Sequence, residues 1–132
     1  MKITVDMNIL VRAVVRDEEE QAEAAAKLLK QAEVIAVSLP SLCEFVWVLR
    51  RVYGFAQHDV STALDALLNA GNVVVHRPAV DAGMAVFNAG GDFADGLIAF
   101  EGSWLGGETF VSFDRKAVSL IAQQGQQTML LA

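Results

Sequence analysis

The stretch Lys2-Ile-Thr-Val-Asp-Met-Asn8 is a short apolar run that stops abruptly on a carboxylate. Ile3 and Val5, with the apolar residues after Asn8, suit a buried strand feeding a helix, and Asp6 falls where that strand should end. In open α/β sheets the carboxyl ends of the strands form the ligand crevice, so an acid in that position is placed for chemistry. The ordinary alternative is that Asp6 or Asn8 caps a helix starting near Ile9, since both residue types accept hydrogen bonds from free helix amides. The balance between the two turns on whether other acids arrive at strand ends and helix starts in the same way.

Working outward, Ile9 to Val15 reads as a short helix, and Asp17 is placed to cap a second one running through Ala22 to Lys30. Val34 to Val37 is a buried strand. Pro40-Ser41-Leu42-Cys43-Glu44 opens a third helix with an apolar face of Phe45, Val46, Val48, Leu49 and Val52. A fourth helix begins at Gln57 and ends by Gly71. Asn72 to Arg77 is a third strand closed by Pro78, followed by a helix from Ala79 to Asn88 and another from Asp92 to about Leu105. Glu108 to Asp114 is the fourth strand, again ending on a carboxylate, with a helix from Arg115 to Gln123 and a last strand from Thr128 to Leu131. Alternating strands and helices with short connections predict one α/β domain over residues 1–132, a mostly parallel sheet of four to five strands between helical layers. Right-handed crossovers would bring the carboxyl ends of the strands to one edge.

Composition narrows the function. The chain is 54% hydrophobic, yet no apolar run approaches the roughly 20 residues of a membrane helix. No basic-then-apolar leader opens it, and the single Cys43 allows neither an internal disulfide nor a zinc cluster, so a reduced, cytoplasmic setting is expected. The apolar surplus points to a partner, with self-association the favoured form. A net charge of −6 argues against a simple basic-patch nucleic-acid binder. Setting Asp6, Glu44, Asp92, Asp95 and Asp114 aside would bring −6 to −1, so much of the acidity belongs to a few motif positions.

Asp6 and Asp114 end strands, while Glu44 and Asp95 sit in the opening turns of helices that follow strands or glycine breaks. Each has a structural explanation. Ser41-x-x-Glu44 is a capping box, Asp92 is a natural N-cap after Gly90-Gly91, and Asp95 and Asp114 suit helix starts. Together at one sheet edge without Lys or Arg partners they would repel one another unless neutralised. An all-oxygen ligand set selects Mg²⁺ or Mn²⁺ over zinc or copper.

Asp6-Met-Asn8, Ser41-Leu-Cys-Glu44-Phe, Asp92-Phe-Ala-Asp95-Gly-Leu-Ile-Ala99 and Phe110-Val-Ser-Phe-Asp114-Arg-Lys116 stand in the order and spacing of PIN domains. The chain resembles the VapC-type toxin ribonucleases of bacterial toxin–antitoxin pairs over nearly its whole length. The resemblance implies a PIN-like three-layer α/β/α fold and a Mg²⁺- or Mn²⁺-dependent RNA endonuclease, usually dimeric and held inactive by a small cognate antitoxin. It matches Asp6, Glu44, Asp95 and Asp114 to the catalytic, metal-binding quartet. Asn8 supports Asp6, Ser112 matches a hydroxyl near the fourth acid, and Asp92 matches a frequent further acid. Met7 departs from the usual Thr or Ser, and Gly96, Gly102 and Gly106-Gly107 thin a helix normally richer in Ala.

Arg115 and Lys116 adjoin Asp114 and are candidate RNA-phosphate contacts, whereas Arg50 and Arg51 read equally as a solvated helix face. Trp47 and Trp104 are read as core or interface, His58 and His76 as structural or surface, and Cys43 as a small filler. A haloacid-dehalogenase-like phosphatase is disfavoured by Asn8 where an acid/base Asp is needed, and a response receiver by the want of a phosphate-contacting Lys. A dinucleotide-binding enzyme is disfavoured because no Gly-rich loop follows the first strand. The remaining alternative is a non-catalytic PIN module that binds RNA or a protein partner.

Overall fold

Ile3, Ile35 and Val73 lie side by side in a parallel ladder, β-branched residues suited to a pleated, half-buried surface. They belong to β1 (Lys2–Thr4), β2 (Val34–Ala36) and β3 (Val73–Val74), in spatial order β1-β2-β3. The computed structural model describes residues 1–132 and divides the chain into two compact units, Met1–His76 and Arg77–Ala132.

In the first unit β1 leads into α1 (Met7–Val15), followed by α2 (Glu19–Gln31), β2, α3 (Leu39–Arg51), α4 (Gln57–Asn69) and β3. Helix α1 packs on α2 and α3, and α4 packs on α3 and β3. Leu10, Ile35, Leu42, Phe45, Leu49, Val60 and Leu64 are fully buried and form its core. Because the three strands run parallel, the chain leaves each at the same edge, which places Asp6 and the start of α3 together there.

Two helix starts differ from expectation. Asp17 does not cap α2; Glu18 occupies the N-cap without a side-chain bond, and Asp17 instead accepts from Arg12 at 2.9 Å and from the Tyr53 hydroxyl at 3.4 Å. Helix α3 starts at Leu39, with the Ser38 hydroxyl accepting from the Ser41 amide at 3.4 Å and Pro40 in the first turn, where its missing N–H costs nothing. Ser41 is therefore inside the helix and the capping box ending on Glu44 does not form.

The second unit comprises α5 (Arg77–Asn88), α6 (Phe93–Trp104), β4 (Thr109–Ser112), α7 (Arg115–Gln123) and β5 (Gln127–Leu130), with β4 and β5 paired in parallel. The inner face of this ladder carries Phe110, which packs on a cluster of Val86, Ala99, Leu120 and Ile121. Helices α5 and α6 approach closely: a Cβ on Gly96 would stand 2.5 Å from the Ala82 carbonyl oxygen and 3.0 Å from Gly83 Cα. Only glycine fits there, so Gly96 tightens this helix pair and does not loosen it.

The five expected strands are present, three in the first unit and two in the second, and every pairing within each unit is parallel. The third is shorter than read: Val75 and His76 lie outside β3, and Arg77-Pro78 opens α5. Trp47 and Trp104 are not core residues, being 58% and 73% exposed. No helix is long and apolar enough to cross a membrane.

Candidate active site

In the first unit the chain turns out of β1 through Val5 and places Asp6 as the N-cap of α1, its Oδ1 accepting from the Ile9 amide at 3.2 Å. The capping alternative for Asp6 therefore holds, and the carboxylate stands exposed where β1 ends. The buried Ser41 hydroxyl donates to the Val5 carbonyl at 3.5 Å, tying the first turns of α3 to the residue before Asp6. A concavity of about 510 Å³ opens here, lined by Ile3, Thr4, Val5, Asp6, Ile9, Leu28 and Ser41. Glu44 lies on α3 three residues after Ser41, near neighbours on a helix surface. It is exposed and, with α3 capped by Ser38, has no capping duty. Asn8 follows in the first turn of α1 and is exposed. A separate hollow of about 450 Å³ between α1 and α4 is lined almost wholly by apolar side chains, has Asp59 as its one carboxylate and contains none of these residues.

The second unit gathers Asp92, Asp95 and Asp114. Asp92 caps α6, accepting from the Ala94 amide at 3.0 Å, and Asp114 caps α7, accepting from the Ala117 amide at 3.1 Å. Ser112 orients Asp114 directly, its Oγ accepting from the Asp114 amide at 3.0 Å. Asp95 has no such bond. It sits in the first turn of α6, and burial pushes its carboxyl above the ordinary aspartate range, with the charge of Asp92 and then that of Asp114 adding to the rise. No basic side chain forms an ion pair with any of the three, since the two ion pairs present are Arg12–Asp17 and Arg77–Asp81.

An electron-rich, all-oxygen group without a cationic partner fits a hard divalent cation in donor chemistry. Within neither unit, however, are three His, Cys, Asp or Glu side chains arranged to hold a metal ion by themselves. Arg115 and Lys116 are exposed beside Asp114, with the Lys116 Nζ over the turn at Gly90. Arg50 is committed elsewhere, donating to the Phe55 carbonyl at 3.0 Å just beyond α3.

Two structural features near these acids are not anticipated by the sequence analysis. One is the glycine contact that seats α6, for which the signal was Gly83 and Gly96 in successive helices. The other is Phe113, which is 74% exposed immediately before Asp114; the alternation that turns Phe110 inward could have revealed it.

A family model described as PIN domain matches residues 3–120. None of the curated proteins compared with the chain matches it.

Proposed function

The chain belongs to the PIN-domain family, whose members are generally nucleases, and from that premise we propose that it is a metal-dependent endoribonuclease, the toxin of a toxin–antitoxin pair. The proposed ligands are Asp6, Glu44, Asp95 and Asp114, and the cation is Mg²⁺ or Mn²⁺. Asp95 is the observation that carries the reading. A carboxyl held partly out of water, beside two more acids and without a basic partner, is costly for a purely structural residue and is relieved by a dication.

When bound, the cation supplies Lewis acidity toward the phosphodiester and a water acidified toward neutral pH. The chain's own residues do the positioning. Asp6 and Asp114 are fixed by their helix caps, so neither carboxylate has to be ordered when the substrate arrives. Ser112 holds the Asp114 backbone, and Asn8 and Asp92 flank the acids in the supporting roles proposed for them. Arg115 and Lys116 are the proposed phosphate contacts. A small antitoxin and a second copy of the chain are the proposed partners, supported by exposed Trp47, Trp104 and Leu105.

The test is cleavage of RNA in Mg²⁺ or Mn²⁺ by the parent and by Asp6→Asn, Glu44→Gln, Asp95→Asn and Asp114→Asn. Each variant should lose about a hundred-fold or more in rate while remaining folded. Parent-like cleavage by Asp6→Asn would remove it from the site. A non-catalytic RNA- or protein-binding module is the second reading, favoured because no three acids within either unit are arranged to hold a metal ion and because Met7 replaces a hydroxyl residue. Calorimetry with Mn²⁺ separates the two: heat of binding lost on acid substitution supports the enzyme, and no uptake by the parent supports the module.

A further inference from the structure

We propose that the Phe113 ring is a stacking platform for an unpaired base of the RNA, next to the phosphodiester contacted by Arg115 and Lys116. This deepens the nuclease reading and rests on it.

Phe113 continues the alternation of β4 past the strand end. Phe110 and Ser112 turn toward the body of the unit, while Val111 and Phe113 face solvent, 47% and 74% exposed. Met129, the partner of Val111 on β5, and Leu131 extend this outer face at 52% and 42% exposure. The backbone on either side of Phe113 is pinned. The Ser112 carbonyl accepts from the Leu131 amide at 2.9 Å, and the Asp114 amide donates to the Ser112 hydroxyl at 3.0 Å. An aromatic ring carried on a fixed backbone offers contact area without the ordering cost that a mobile loop would impose.

The surroundings decide the occupant. Arg115 and Lys116 lie two and three residues on, exposed and in no ion pair, so an apolar ring and two cations stand within a short stretch of chain. Single-stranded nucleic acid offers flat bases beside anionic phosphates, and non-specific binders grip it with aromatic platforms in basic grooves. In a chain of net charge −6, phosphate contacts alone are a weak source of affinity, which leaves stacking a larger share. A protein partner fits less well. The outer face has four apolar side chains, against about 20–30 residues a side in a stable protein interface. Covering it would also desolvate the adjoining carboxylate and two cations.

The experiment compares the parent with Phe113→Ala, Phe113→Leu and Phe113→Trp in steady-state cleavage. It adds a titration of metal-free Phe113→Trp with a short mixed-sequence oligoribonucleotide, single-stranded or as a duplex. Trp47 and Trp104 set the background, measured in the parent. Stacking predicts that Phe113→Ala and Phe113→Leu raise KM roughly ten-fold or more with kcat little changed, and that Phe113→Trp restores it. The added indole should be quenched by the single strand and not by the duplex. Full restoration by Leu, or an unchanged KM in Phe113→Ala with no quenching, overturns the platform while leaving acid-dependent cleavage intact. So does a change of oligomeric state in Phe113→Ala with RNA binding unaltered, since the face would then be a protein interface. Single-strand quenching in a protein that cleaves nothing supports the platform and defeats the nuclease reading.

Discussion

Asp6 caps a helix and is also a proposed metal ligand, so its substitutions separate stability from chemistry. Its Oδ1 caps α1, and replacing a capping Asp by Ala costs about 0.5–2 kcal/mol, whereas Asn caps as well as Asp. Asp6→Ala should therefore lower the denaturation midpoint and abolish activity, while Asp6→Asn should abolish activity at nearly parental stability. Equal destabilisation by both, in urea melts, would mean that the charge and not the cap matters to the fold. Asp95 behaves in the opposite sense. Its folded pKa is raised, so above the ordinary aspartate range the unfolded chain releases a proton that the native state still holds. Stability then falls as pH rises from about 3.8 through the raised value, and the penalty persists at neutral pH. Asp95→Asn should be more stable than the parent at pH 7 and should lack this decline, which melts across pH 4 to 8 would show. Glu44 stands apart from both. Its exposed carboxylate has no capping role, so Glu44→Gln should leave the melt unchanged.

At the scale of elements, the strands and helices were legible because their signals are local. The apolar run at residues 34–37, the aromatic and β-branched residues Thr109, Phe110 and Val111, and the glycine break at Gly90-Gly91 mark β2, β4 and the gap before α6. What was not legible depended on choices between neighbours. Ser38 and Ser41 both look like caps, and Ser38 wins because Leu39 and Pro40 fit the first turn behind it. The run Asn72 to Arg77 looked like a full strand, yet β3 is an edge strand whose only partner, β2, is itself three residues long, and pairing ends at Val74. Gly96 shows the same limit. Composition suggests a weakened helix, whereas its role is fixed by the Ala82 carbonyl on another helix. Two substitutions in α6 separate propensity from packing. Gly102 has nothing within 4 Å of a built Cβ, so Gly102→Ala should stabilise the protein by about 0.5–1 kcal/mol. Gly96→Ala gains the same propensity but must push α6 off α5, at a packing cost of about 1–3 kcal/mol. It should lower the melting temperature and, by moving Asp95, reduce kcat further than the loss of folded protein explains. A Gly96→Ala enzyme with parental kcat would show that the seat of α6 does not set the position of its acid.

For the molecule as a whole, the net charge of −6 becomes a measurable response to divalent cations. A ligand that binds only the native state stabilises by RT ln(1 + [L]/Kd), about 2.7 kcal/mol at a hundred times Kd. Mn²⁺ or Mg²⁺ should therefore raise the melting temperature of the parent by several degrees, with Ca²⁺ a weaker competitor because its coordination demands differ. The pattern across variants carries the information. Non-specific screening of a negative surface would survive any single substitution and would be matched by raising the concentration of monovalent salt. A built site would lose the shift in Asp95→Asn, even though that variant starts from higher stability, so the two effects of one substitution run in opposite directions. Loss of the shift in Asp6→Asn and Glu44→Gln as well would assign the ion ligands from both halves of the sequence. Retention in those two variants, with loss confined to Asp95→Asn and Asp114→Asn, would restrict the cation to the carboxylates of the second unit and leave Asp6 as a helix cap.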